Sequence, residues 1–256
     1  MNLLKTLVKK EMLEFIRTKK FLVLCIVFLF VAVSSPVLAK LMPLIFKNLS
    51  LNGIEIKIPD PTWKDAVDQF VKNISQLAMI VVVFIFAGAV SEEKSKKTLE
   101  LVLAKPVPKK LFIGSKFLSA LKIFLSIYAV SALIFALYTR SIFGDLPLAR
   151  LAQLFTLSFI YLYFVISLAI LMSTLFANQV AAAGMAFFVQ IILSTILGSI
   201  GKIERFVPSY IFGKYTELMA NKPVADFYPS ALVSLVLIGV MIWLSTSIFT
   251  RQEIER

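Results

Sequence analysis

Apolar residues run through this chain in stretches too long for a soluble core and too continuous for alternating strands. They occupy about residues 21–46, 74–90, 118–138, 148–176, 179–200 and 231–249. A bilayer core of about 30 Å takes about 20 helical residues at about 1.5 Å each, so every stretch meets or approaches the length of a span. In lipid each backbone amide must find its partner inside a helix or a closed barrel, and unbroken apolar runs select helices. Residues 148–200 are too long for one span, and the uncharged Ala177-Asn178-Gln179 divides them. The pattern predicts an all-α polytopic membrane protein, one transmembrane domain over residues 1–256 with six transmembrane helices.

The polar segments complete the plan. In residues 1–20, Leu3, Leu4, Leu7, Val8, Met12, Phe15 and Ile16 recur at helical spacing between lysines and acids. This predicts an amphipathic interfacial helix on the inner membrane surface. Residues 47–73 read as a polar external segment with turn signals at Asn52-Gly53 and Asp60-Pro61, and the alternation of Ile54, Ile56 and Ile58 allows a short strand. Residues 201–230 mix aromatic and charged positions, which predicts a second external segment of short interfacial helices before the last span, with Tyr210, Tyr215 and Tyr228 at headgroup depth. Lys122 falls inside the third stretch. The run from Ile123 to Tyr138 reaches only about 24 Å, so that helix must begin earlier and let Lys122 snorkel to the inner surface.

Composition agrees: 59% of the 256 residues are hydrophobic, and the mean hydropathy is +0.88. The net charge of +12 raises nucleic acid as a partner. The lysines, however, are scattered between apolar runs and build no basic face, so no nucleic acid is expected. An even number of spans puts both termini on one side. Sixteen of the 27 lysines and arginines fall in the leader, in 94–122 and in the tail, which assigns that side to the cytoplasm of a cell membrane. Histidine is absent and Cys25 is the single cysteine, which removes Cys/His metal sites and histidine-based catalysis; no metal and no catalytic residue are expected.

The most informative polar stretch is the 91–116 loop after the second span. Thr98 is placed to cap a short helix whose Leu99, Val102 and Leu103 share a face, and Pro106 and Pro108 end it. Apolar residues projecting beside a charged rim make a knob that another protein can grip. This stretch resembles the permease subunits of ABC-2-type transporters, in which the second span leads into a Glu-rich, Gly-Thr-Leu-Glu-x-Leu-Leu-x-x-Pro-Val-x-Arg-like run and a Gly-Lys before the third span. The matching residues are Glu92, Glu93, Thr98, Leu99, Glu100, Leu101, Leu103, Pro106, Val107, Lys109, Gly114 and Lys116; Lys97 stands where the family has glycine and Lys109 where it has arginine. The resemblance implies that two permeases, identical or homologous, pair around a pathway. It implies an exporter driven by a separate ATPase subunit that carries ATP and Mg and docks on a coupling loop. Glu92, Glu93, Thr98, Leu99, Glu100, Leu101, Leu103 and Pro106 would form that contact. This chain has no Gly-x-x-x-x-Gly-Lys-Ser/Thr phosphate loop, so it is expected to bind no cofactor and to be no enzyme.

Two other classes compete with this reading. An ion-gradient-driven secondary transporter usually shows internal repeats or midplane ionisable groups, and no repeat is evident here. A membrane-embedded enzyme lacks paired carboxylates within a predicted span. Gln190, near the middle of the fifth span, with Ser34 and Ser35, are the pathway candidates; interhelical hydrogen bonding is the plainer use of such residues. Gly184 with Ala181, Ala182, Ala183 and Ala186 reads as a close-packing face.

Overall fold

The computed structural model describes residues 3–49, 60–98, 107–196, 198–201, 203–220 and 222–252. An amphipathic helix α1 (Leu3–Arg17) turns at Lys19, whose φ is +60°, into α2 (Lys20–Leu49). α3 (Trp63–Asn73) passes through one π-helical turn (Ile74–Ala78) into α4 (Met79–Ser95). α5 (Lys109–Phe143) and α6 (Leu148–Leu175) form a hairpin closed at Gly144, whose φ of +81° suits a residue without a Cβ. α7 (Gln179–Ile191) ends in a second π-helical turn, Ile192–Ile196. Short turns flank α8 (Tyr210–Met219), and α9 (Tyr228–Arg251) follows. Six helical segments are long and apolar enough to cross a membrane, and no strand occurs among the described residues.

The core is built around α6, where every side chain from Tyr161 to Thr174 is buried. A helix apolar on all sides must be enclosed on all sides, and α4, α5, α7, α8 and α9 surround it. α2 lies against α3 and α5, and α1 lies across α5 and α2. Hydrogen bonds join the layers: the Ser131 hydroxyl donates to the Phe28 carbonyl at 2.8 Å and the Tyr163 hydroxyl to the Phe117 carbonyl at 3.0 Å. Outward faces carry Phe30, Phe188, Val236 and Trp243. In water such faces would drive aggregation, whereas lipid tails accept them at no cost.

Several elements differ from the sequence expectation. The second half of the expected external segment 47–73 is helix, and α3 and α4 run together through 33 residues instead of beginning near 74. The reason is local. Thr62 N–H donates to Asp65 Oδ2 at 2.7 Å to start α3, and Ala66, Val67, Phe70, Val71 and Ile74 then make one buried stripe. The third span is likewise longer than its apolar stretch, because α5 extends from Lys109 to Phe143. Lys122 is exposed on its surface. Tyr210 and Tyr215 are buried in the protein, against Phe227 and bonded to Asp68 respectively, while Tyr228 is exposed. In α7 the packing face is Ala182, Ala183, Ala186 and Gln190; Ala181 and Gly184 point outward. The strand envisaged at Ile54–Ile58 lies outside the described residues.

Phe70 joins α3 to the bundle, with ring centroids 4.2 Å from Phe135 on α5 and 5.5 Å from Phe155 on α6. Phe70→Ala removes a fully buried ring from that three-helix contact. It is expected to cost about 3–5 kcal/mol of stability, read as an earlier midpoint in denaturant titration of the purified protein in mixed micelles.

Candidate functional site

Glu92 and Glu93 lie at one end of the bundle, where α4 leaves the core and α5 re-enters it. Both ends of the connection between them are tied to other helices. Lys94 Nζ donates to the Thr174 carbonyl at 2.5 Å, near the C-terminus of α6. Lys109 Nζ donates to the carbonyls of Thr250 at 3.3 Å and Gln252 at 2.9 Å, at the C-terminus of α9. Gln252 Nε2 donates to the same Thr174 carbonyl at 3.0 Å and so links α9 to α6. The last carbonyls of a helix lack backbone donors and carry its negative dipole end, so lysines are the residues best suited to bind there. These contacts place the end of α4, the start of α5 and the C-terminal ends of α6 and α9 together.

The last turns of α4 are held from other directions as well. The Ser173 hydroxyl accepts from the Val90 and Ser91 amides at 2.8 and 2.9 Å. Gln179 Nε2, at the start of α7, donates to the Phe84 carbonyl at 2.8 Å. Gly88 makes that approach feasible: a Cβ there would lie 3.0 Å from Gln179 Nε2 and 2.3 Å from Glu92 Oε1. Beyond Ser95 the chain turns through Lys97 at φ +54°, the left-handed conformation that glycine adopts without cost. Lys97 stands where the loop pattern has glycine, and its backbone is one that glycine would adopt without strain.

Beneath this turn lies a cluster of charges. Lys116 on α5 is only 4% exposed; its Nζ lies 2.5 Å from Glu93 Oε1 on α4 and 2.6 Å from Glu11 Oε2 on α1. The Phe112 ring centroid is 5.1 Å from the same ammonium. Lys10 adds contacts to Glu93 at 2.9 Å and to Glu11 and Glu14 at 3.0 Å each. Burial disfavours the Lys10 ammonium, but Glu11 and Glu93 outweigh it and hold its pKa above the usual lysine value. Glu92 pairs with Lys20 of α2 and, at 3.0 Å, with Lys96. Carboxylate oxygens of Glu11, Glu14 and Glu93 lie within 4.8 Å of one another, a spacing that suits a cation, and here the ammonium groups of Lys10 and Lys116 supply that positive charge. A cavity of about 40 Å³ beside the cluster, reached by Phe15, Gly88, Lys116 and Ser119, has room for a few waters.

The structure thus distributes the expected site residues unevenly. Glu92 and Glu93 are engaged within the chain, and the Thr98 hydroxyl donates back to the Glu93 carbonyl at 3.4 Å. Leu99, Glu100, Leu101, Leu103 and Pro106 lie outside the described residues. The pathway candidates are not brought together. Ser35 is buried and accepts from Asn73 Nδ2 at 3.0 Å between α2 and α3, and the Ser34 hydroxyl is buried with no partner among the described residues. Gln190 Nε2 donates to the Tyr161 hydroxyl at 2.8 Å between α7 and α6. Sequence reasoning missed Glu11 and the pairing of Lys116. The available signal was the position of Glu11, four residues after Leu7 and three after Val8 on the apolar stripe of α1.

A family model for ABC-2 family transporter proteins matches residues 32–247, the greater part of the chain. This chain belongs to the ABC-2 transporter family. A relative, the uncharacterized transmembrane protein YxlG of Bacillus subtilis (strain 168), is 24% identical over 257 residues and is matched over 99% of each chain. ABC-2 membership and six apolar helices make this a multi-pass membrane protein and the membrane component of an ABC transporter.

Two substitutions probe the base of this ABC-2 chain. Lys97→Gly relieves a left-handed side-chain residue and should raise stability by about 1 kcal/mol, measured by thermal unfolding in detergent. Gly88→Val drives a side chain between Gln179 and Glu92 and should lower stability by about 1–3 kcal/mol in the same assay.

Proposed function

We propose that the chain is the permease subunit of an ATP-driven exporter in the cell membrane, with both termini and the 96–108 connection on the cytoplasmic side. ATP and Mg bind a separate ATPase subunit, and hydrolysis occurs there. That subunit docks on the loop that contains Thr98, Leu99, Glu100, Leu101, Leu103 and Pro106, with Glu92 and Glu93 bracing the loop from within the chain. A second permease, identical or homologous, completes the pathway.

The observation that carries this reading is the attachment of both loop ends to other spans. Lys94 holds the end of α6, and Lys109 holds the end of α9. A displacement applied to the connection is passed at once to the central helix and to the last helix. An ordinary surface loop has no need of such ties. The buried charges lie near the end of α4, with Glu93 two residues before Ser95, and so do not resemble the midplane sites of ion-driven carriers.

Replacing Leu99 and Leu103 together with aspartate tests the docking role. The variant is expected to insert normally and to lose at least about tenfold of the ATPase that co-purifies with the wild-type permease, as burial of two leucines at a contact implies. Retained co-purification would reject this assignment of the loop.

A further inference from the structure

The cluster around Lys116 joins three helices, and one of them is not needed to build the loop. α4 and α5 flank the 96–108 connection and are already paired through Glu93 and Lys116. α1 enters from the far N-terminal side of the sequence and contributes Glu11, whose carboxylate is 8% exposed and sits on the face with Leu7 and Val8. An apolar residue at this position would seat α1 without desolvating a charge. Glu11 instead places its Oε2 2.6 Å from a lysine that is itself buried.

We infer that Glu11 is a positioning residue that locks α1 to the two stalks of the coupling loop, so that α1, the end of α4 and the start of α5 move as one body. This inference rests on the proposed reading of 96–108 as the loop that receives the ATPase stroke. Apolar contacts such as the stacked pair Phe15 and Phe86, 5.6 Å apart, hold α1 near the bundle but tolerate sliding. Charge-assisted hydrogen bonds are directional and short, and a displacement of an ångström or two breaks them. Loss of the α1 contact would leave Lys116 buried with one carboxylate, and loss of α5 would leave Glu11 buried beside Lys10 alone. Each displacement therefore strips a charge-assisted hydrogen bond from a buried ion and leaves it a single partner, which costs more than an apolar slip. The charges facing the joint are those of Lys10 and Glu14 on α1, Glu92 and Glu93 on α4, Lys116 on α5 and Lys20 at the start of α2.

The single cysteine makes a direct test practical. In a Cys25→Ala background, spin labels at Leu13→Cys on α1 and Lys110→Cys on α5 report the separation of the two helices by pulsed electron resonance, in nanodiscs, with and without the bound ATPase. Both positions are exposed. The expected result is one narrow distance that is the same in the nucleotide-free and the vanadate-trapped complex. Glu11→Gln should add a displaced population about tenfold larger than in the parent protein while leaving the amount of co-purified ATPase unchanged. Glu11→Asp and Lys116→Arg, which retain the charges, should keep the distribution narrow.

A distance that shifts between nucleotide states would overturn the joint, and that measurement needs no variant beyond the labels. An unaltered distribution in Glu11→Gln would overturn it as well. If the wild-type permease captures no ATPase at all, the proposed function fails, while comparison of Glu11→Gln with its parent in the permease alone still judges the joint.

Discussion

A lysine ammonium buried among apolar helices is tolerable only if carboxylates meet it, and that constraint organises the loop end of this molecule. Lys116 is almost wholly withdrawn from bulk solvent, so Glu93 and Glu11 come to it, and the helices that carry them converge. α4, α5 and α1 are thereby brought to one point near the end of α4 and the start of α5. The short distances also set tight limits on how these helices shift relative to one another, which a greasy interface alone would not impose.

A second constraint acts at the ends of α6 and α9. Helix ends expose carbonyls without backbone partners, and in a membrane protein these ends must be satisfied by side chains or by the interface. Lys94, Lys109 and Gln252 meet that need at the ends of α6 and α9. The same bonds that finish the helices also lace the end of α4 to the central helix and the start of α5 to the last span. The opposite end of the bundle is tied by comparable means: Arg150 Nη1 donates to the Lys222 carbonyl at 3.0 Å, and Tyr215 bonds Asp68 on α3. The polar side chains inside the bundle, including Ser35 and Gln190, serve contacts between helices, as expected where lipid supplies no hydrogen bonds.

The helical, six-span character was legible because it depends on local quantities. Long apolar runs have one backbone solution in lipid, and breaks such as Ala177-Asn178-Gln179 and Gly144-Asp145 mark where the chain must turn. Asn178 does cap α7, accepting from the Val180 amide at 2.8 Å. The loop pattern was legible for a similar reason, since its residues are adjacent in sequence; the match to the ABC-2 family over residues 32–247 agrees with it. Helix ends were less legible. α3 and α5 continue past their apolar stretches because capping and packing, not hydropathy, decide where a helix stops.

What the sequence determined by itself, then, is the solvent of the protein, its helical character and the family pattern between the second and third spans. Tertiary structure decided which charges are buried and paired. Glu11, Glu93 and Lys116 are separated by 82 and 23 residues, and each alone reads as an ordinary polar residue near a membrane surface. Their burial and pairing arise only when three helices pack, because desolvation depends on what surrounds a side chain in space and not on its neighbours along the chain.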